Sequence, residues 1–296
     1  MHTFLSSLAA RLYSGCAYAA FVAASCWGVL FLADLGALPT VDSNGSAATG
    51  WAVVIDLALL LVFAVQHTVM ARDGFKQWLT RAVPAEVERS TYVLAASLAM
   101  ALMFWQWQAL PASVWELHTQ PWVFLVWVVY GVGWMIAIAA TYMIDHWDFL
   151  GLRQAGWLPA RPSSSGTVSR RWLYAWVRHP MMLGLLVAFW ATPSMTVGHL
   201  LFAIGASGYV AIGVRFEERD LRRRLGAEYD DYARSVPQLL PNLHGLSGGR
   251  QTSALRAGSG GTGISGPEGN RCDVAPRTAL HIDSSRSPRF SPPFSL

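Results

Sequence analysis

Four apolar runs, at about 12–38, 51–70, 91–110 and 121–144, constrain this chain more than any other feature. Each is long enough to cross a hydrocarbon layer, which takes about 20 residues of helix. In lipid every backbone N–H and C=O must find its partner within the protein, so such runs become helices packed side by side. A fifth apolar region covers about 172–214, and only 14% of the 296 residues are charged. Soluble domains carry about 25%. The fold class read from this is all-α: a polytopic integral membrane helix bundle. The first run continues past any small-residue cleavage site, and "AASC" at 23–26 is a poor lipoprotein cleavage box, so no cleaved signal peptide is expected.

The basic residues set the orientation. Segment 71–90 carries Arg72, Lys76, Arg81 and Arg89; segment 145–171 carries Arg153, Arg161, Arg170 and Arg171. Segment 215–234 adds Arg215, Arg219, Arg222, Arg223, Arg224 and Arg234, whereas 39–50 and 111–120 hold no Lys or Arg. The positive-inside rule puts the three basic segments, the N-terminus and the C-terminal tail in the cytoplasm. Region 172–214 is then basic on both flanks and must enter and leave on one side. A single helix of that length would run roughly 60 Å, twice the hydrocarbon thickness. "ATPSM" at 191–195 offers a break, so the region reads as a helical hairpin, about 172–191 and 195–214, its first arm kinked near Pro180. The count is four spans plus this hairpin, five to six membrane helices in all. Residues 1–242 form the membrane domain. In 243–296, 23 of 54 residues are Gly, Ser or Pro, a composition that cannot bury enough surface to order itself, so a disordered tail is expected.

Four polar clusters fall on the cytoplasmic side of this topology. They are "QHTVMAR" with Gln66 and His67, "DHWDFLGLRQ" at 145–154, "VRHPMMLG" at 177–184, and the long segment 214–241. Charge within an apolar span is expensive and marks a polar cavity or a ligand. Simpler readings exist for several. His67 suits an interfacial histidine bonded to a carbonyl; Asp145, His146 and Asp148 suit a solvated helix end; Arg222 to Arg224 suit lipid headgroups. Glu217 and Glu218 are harder to set aside, because carboxylates at the inner boundary face an anionic leaflet and call for a cationic partner. The net charge of +4 resides in these loops, as membrane topology rather than nucleic-acid binding. Cys16, Cys26 and Cys272 form no CxxC pattern, and the eight histidines form no i, i+3 or i, i+4 pair, so neither a disulfide framework nor a metal site is expected.

"RHPMMLG", followed about forty residues later by "EERDLRRRLGAEYDDYARSVPQLLP", resembles the isoprenylcysteine carboxyl methyltransferase-like superfamily of membrane proteins, which includes phospholipid methyltransferases and nurim-type proteins. Arg178, His179, Pro180, Gly184, Glu217, Glu218, Leu221, Gly226, Tyr229, Tyr232, Val236 and Pro237 stand at the places of its shared pattern. Many members have Tyr one or two residues after the Pro; Met181 and Met182 stand there instead. Within the superfamily, 66–94, 145–154 and 189–203 resemble the methanethiol S-methyltransferase branch. The resemblance covers 12–241 and none of the tail.

That resemblance implies an S-adenosylmethionine-dependent methyltransferase acting on a small thiol, with lipid amines, prenylated carboxylates or a non-enzymatic nurim-like scaffold as alternatives. The residues suit it. Arg178 and His179 match the cofactor's carboxylate, and Glu217 and Glu218 its ammonium or ribose hydroxyls; Pro180 and Gly184 complete the cofactor-binding set. A thiol must also lose its proton, since a free Cys thiol titrates only at about 8.5 and an alkyl thiol higher. His146 and Asp145 are the leading candidate bases, with His67 and Asp148 behind them. A small apolar thiol would arrive from the bilayer and the cofactor from the cytoplasm.

Overall fold

The computed structural model describes residues 2–43, 45, 47–159 and 172–240. Arg161, Arg170, Arg171 and the tail expected to be disordered lie outside them. Helices occupy the four apolar runs: α1 (His2–Leu32), α2 (Thr49–Ala71), α4 (Glu88–Gln106) and α5 (Trp122–Ile144). A short α3 (Asp73–Leu79) follows α2, and α6 (His146–Phe149) follows α5. Then come α7 (Pro180–Trp190), α8 (Val197–Leu225) and α9 (Ala227–Ser235). Among the described residues four helices are long and apolar enough to cross a membrane: α1 from Ser7, α2, α5 and α8. Leu57, Leu61, Val62 and Val65 on α2, and Phe124, Leu125, Val128 and Met135 on α5, stay exposed. Such apolar stripes belong in lipid, not water.

The hairpin differs in detail from its expected form. Its first arm is not a kinked helix over 172–191. Residues Trp172–Ala175 make one 3-10 turn, and α7 starts at Pro180 itself. Proline at the first helical position loses nothing, because that N–H has no partner in a helix anyway, and it biases the residue before it away from helix. At eleven residues α7 is about 16 Å long, half a membrane. Residues 176–179, between that turn and α7, are a turn and a bend, and beyond α7 β2 (Ser194–Thr196) pairs antiparallel with β1 (Ser113–Glu116). This pair closes the end of the bundle away from the basic segments. There the Thr196 hydroxyl donates to Asp42 at 2.6 Å and accepts the His199 N–H, starting α8.

Aromatic packing fills the centre, with Phe31 stacked on Phe104 at 4.7 Å and Trp107, Tyr130, Phe189 and Phe202 around them. Two helices approach more closely than side chains allow. A Cβ on Gly184 would stand 2.5 Å from the Gly133 carbonyl oxygen and from the Ala137 nitrogen, and one on Gly133 would stand 2.8 Å from the Ala188 nitrogen. Small residues at such a crossing let backbones touch, the usual device where lipid removes the hydrophobic drive. The pairs 133–188 and 137–184 also make α5 and α7 antiparallel, so one turn further along each helix Thr141 and Pro180 come level.

Gly184→Ala is expected to destabilise by about 1–3 kcal/mol through overpacking, read as a lower melting temperature in detergent. Gly131→Ala, on the same helix beside open space, is not expected to lower it.

Candidate active site

The basic segments gather at one end of the bundle. Tyr13 on α1 donates to Thr91 at the start of α4, Arg72 after α2 meets Asp220 on α8 at 3.9 Å, and Arg224 meets Asp73 at 3.2 Å. Arg178 and His179 lie at this end, immediately before α7. The chain beyond α9 satisfies their backbone. Arg178 N–H donates to the Pro237 carbonyl at 2.9 Å and His179 N–H to the Gln238 carbonyl at 3.2 Å. Gly226, at φ 55, ends α8 in a conformation that suits glycine and lets α9 fold back. Tyr229 and Tyr232 then bury against Leu221 and Val236, and the Tyr232 hydroxyl donates to the Tyr174 carbonyl at 2.7 Å.

The four charged residues singled out in the sequence meet here, all buried or nearly so. His179 lies between two carboxylates, Nδ1 3.5 Å from Glu217 Oε2 and Nε2 3.3 Å from Glu218 Oε1. Arg178 Nη1 stands 3.1 Å from the same Glu218 oxygen, and Arg222 reaches Glu218 Oε2 at 3.2 Å. Burial opposes a charge on His179, but hydrogen bonds and attraction from Glu217 and Glu218 outweigh it and raise its pKa to about 9. Both ring nitrogens then carry protons at neutral pH, as two acceptors require. The cluster is incomplete within itself. Glu217 Oε1 and Arg178 Nε are buried with no hydrogen-bond partner among the described residues. An orphaned acceptor beside an orphaned guanidinium donor is complementary to a zwitterion with an ammonium and a carboxylate, so the residues fit the amino-acid end of S-adenosylmethionine.

Consecutive residues on a helix point about 100° apart. Glu217 accordingly lines a cleft of about 370 Å³ with Thr68, Tyr209, Gly213 and Phe216, while Glu218 lines a recess of about 480 Å³ with Arg215, Arg219, Arg222 and Gln238. Gly184 faces α5, where it serves helix contact, and Pro180 is the buried first residue of α7. Met181 and Met182 pack α7 onto Val210 and Val214 of α8.

The candidate bases sit in two other groups at this end. His146 is buried, its Nδ1 2.9 Å from the Thr141 hydroxyl and its Nε2 3.3 Å from the Tyr18 hydroxyl. Tyr142 stacks on its ring at 4.2 Å. Burial holds its pKa below the ordinary histidine value, offset in part by Asp145. Asp145 is engaged in structure: it pairs with Arg153 at 3.0 Å and accepts the Asp148 N–H that starts α6. His67 meets the Tyr92 hydroxyl at 2.8 Å and stacks on Phe63. Its neighbour Thr68 lines the cleft beside Glu217.

Arg89 was legible only as a topological charge. In the structure it is buried, donates through Nε to the Phe149 carbonyl at 2.8 Å and lies over the rings of Tyr92 and Phe149. Gly151 completes the joint, since a Cβ there would stand 2.7 Å from the Ser90 hydroxyl. The segment "DHWDFLGLRQ" is thus clamped onto the start of α4. An arginine directly preceding an apolar run was the available signal.

The stability contributed by the His179 imidazolium is present in full below about pH 6.5 and is lost as pH rises through about 9. The melting temperature of the detergent-solubilised protein should therefore fall from about pH 7 to about pH 10. His179→Gln should melt lower at neutral pH and lose that slope.

Known proteins resemble this chain over most of its length. The family model described as "NnrU protein" matches residues 56–214. Methanethiol S-methyltransferase of Mycobacterium tuberculosis is 48% identical over 235 residues, covering 79% of this chain and 96% of the relative. The protein of the same name from Pseudomonas deceptionensis is 40% identical over 80% of this chain and 91% of its own length. Nurim of Rattus norvegicus is 30% identical over 70% of this chain and 88% of its own length. No solved structure matches. At such identity over nearly the full length of its relatives, the chain belongs to the methanethiol S-methyltransferase family.

Proposed function

We propose that this protein transfers a methyl group from S-adenosylmethionine to methanethiol, giving dimethyl sulfide and S-adenosylhomocysteine. One observation carries the reading: a buried cluster of Arg178, His179, Glu217 and Glu218 that leaves one carboxylate oxygen and two guanidinium nitrogens without a hydrogen-bond partner among the described residues. When bound, S-adenosylmethionine supplies a methyl group on a positively charged sulfur, already a good leaving group.

The protein then has three tasks. Arg178, through its unmet guanidinium nitrogens, holds the carboxylate; His179 braces Glu217 and Glu218 between its two N–H groups; and Glu217, through Oε1, holds the ammonium. Pro180 at the first position of α7, tight α5–α7 packing at Gly184 and the 237–238 clamp keep these groups in place, which supports alignment of the reacting atoms. The nucleophile must lose a proton, and His146 is the base best suited to take it. Burial keeps its imidazole neutral at pH 7, whereas Asp145 is committed to Arg153. His67, beside the cleft, is the second choice. The apolar walls of that cleft, Ile212, Gly213 and Phe216, suit a small thiol arriving from the lipid. Because the basic segments share the end that carries the cluster, the positive-inside rule puts the site and both chain termini in the cytoplasm.

Cells expressing this chain and fed methanethiol should release dimethyl sulfide above a vector control; none, with S-adenosylmethionine present, removes the proposal. Arg178→Ala and Glu217→Gln should each weaken S-adenosylmethionine binding by about 10- to 100-fold in calorimetry, the worth of a charged hydrogen bond. Unchanged affinity in both would leave a nurim-like structural protein as the better account.

A further inference from the structure

His146 makes one hydrogen bond through each ring nitrogen, and the surrounding network decides which carries the proton. The Thr141 hydroxyl donates its hydrogen to the Ile138 carbonyl at 2.7 Å. Its oxygen, 2.9 Å from His146 Nδ1, is left only as an acceptor, so Nδ1 bears the proton. Nε2 is then the bare nitrogen, and the Tyr18 hydroxyl 3.3 Å away donates to it. The ring cannot turn to exchange these roles. Tyr142 lies parallel to it at 4.2 Å, and Tyr18 and Trp147 stand edge-on at 5.8 and 5.3 Å. Antiparallel α5 and α7 bring Thr141 level with Pro180, so the relay sits beside the start of α7 where Arg178 and His179 lie.

We propose that Thr141 is a positioning residue and Tyr18 a proton relay that make His146 a base of one face: Thr141 keeps the proton on Nδ1, and Nε2 receives the thiol proton through the Tyr18 hydroxyl. The inference rests on the reading of His146 as the base. In the step the thiol S–H bond breaks and its proton bonds to the Tyr18 oxygen as the Tyr18 O–H proton bonds to Nε2, and the electron pair stays on sulfur as the thiolate. The Tyr18 hydroxyl turns from donor to acceptor of the new N–H, and the charge gained by the ring is offset by the neighbouring Asp145. The function of this hydrogen-bond pair is tautomer control, which hydrogen bonding by the distal nitrogen commonly sets in catalytic histidines.

The test reads the tautomer directly. Full-length protein labelled with 15N-histidine, in detergent without methyl donor or thiol, is compared with His146→Gln to identify the signal. The wild type should show the neutral Nδ1–H form at pH 7.5; Thr141→Val should shift population to Nε2–H, and Thr141→Ser should restore Nδ1–H. In turnover, Thr141→Val and Tyr18→Phe should lower kcat at least tenfold with KM for S-adenosylmethionine within twofold, and Thr141→Ser should stay near wild type. A wild-type Nε2–H or imidazolium signal overturns the inference, as does Thr141→Val with unaltered tautomer and kcat while His146→Gln is inactive; that last result leaves His146 standing as the base. Full activity in His146→Gln overturns the base reading and the relay with it.

Discussion

A single imidazolium between two carboxylates organises the working end of this protein. A charge taken out of water is costly unless it is paired, and His179 is paired on both nitrogens. The arrangement dictates what surrounds it. The second half of α8 must extend past the apolar region far enough to present Glu217 and Glu218 together, and Arg222 must follow one turn later to balance them. The backbone entering α7 must leave helical geometry, so that both side chains of the Arg-His pair can reach α8. Proline at the helix start enforces that, and residues 237–238 take up the N–H groups it leaves.

The paired glutamates are not duplicates. Helical geometry sends them to opposite sides of His179, one toward the cleft between α2 and α8, lined by apolar and charged residues alike, the other toward the arginine-rich recess. Glu218 is satisfied by three cationic groups and serves as the structural anchor. Glu217 retains an unmet oxygen and is the one with capacity to bind. A sequence shows two adjacent glutamates; only the packing separates their tasks.

Much of the fold was open to sequence reasoning because lipid permits so few alternatives. The spans follow from apolar length, and the shared face of His67, Asp145, His146, Arg178 and the glutamates follows from where Arg and Lys fall. What sequence reasoning missed had no periodic signal. Pro180 reads as a kink in an apolar run, but it starts a helix, because the N–H groups of the two residues ahead of it are taken up by carbonyls from far along the chain. Arg89 counts as one more positive charge, yet it is buried as a clamp on the Phe149 carbonyl. Asp56, in the middle of an apolar run, is fully buried and accepts the Gln108 N–H at 2.8 Å; its partner is fifty-two residues away and nothing local announces it. Met181 and Met182, which depart from the shared pattern, pack against α8.

The clamp at Pro237 and Gln238 also sets a timetable. Ribosomes deliver a membrane protein helix by helix, and each span can settle into lipid as it emerges. The Arg178–His179 backbone, however, obtains its carbonyl partners from residues 237–238, made about sixty residues later. Through nearly all of synthesis the nascent bundle therefore holds an unfinished hollow with two uncapped amides. The enzyme becomes competent only when its final described residues thread back across the mouth, so a chain truncated just before them inserts its spans yet stays inert.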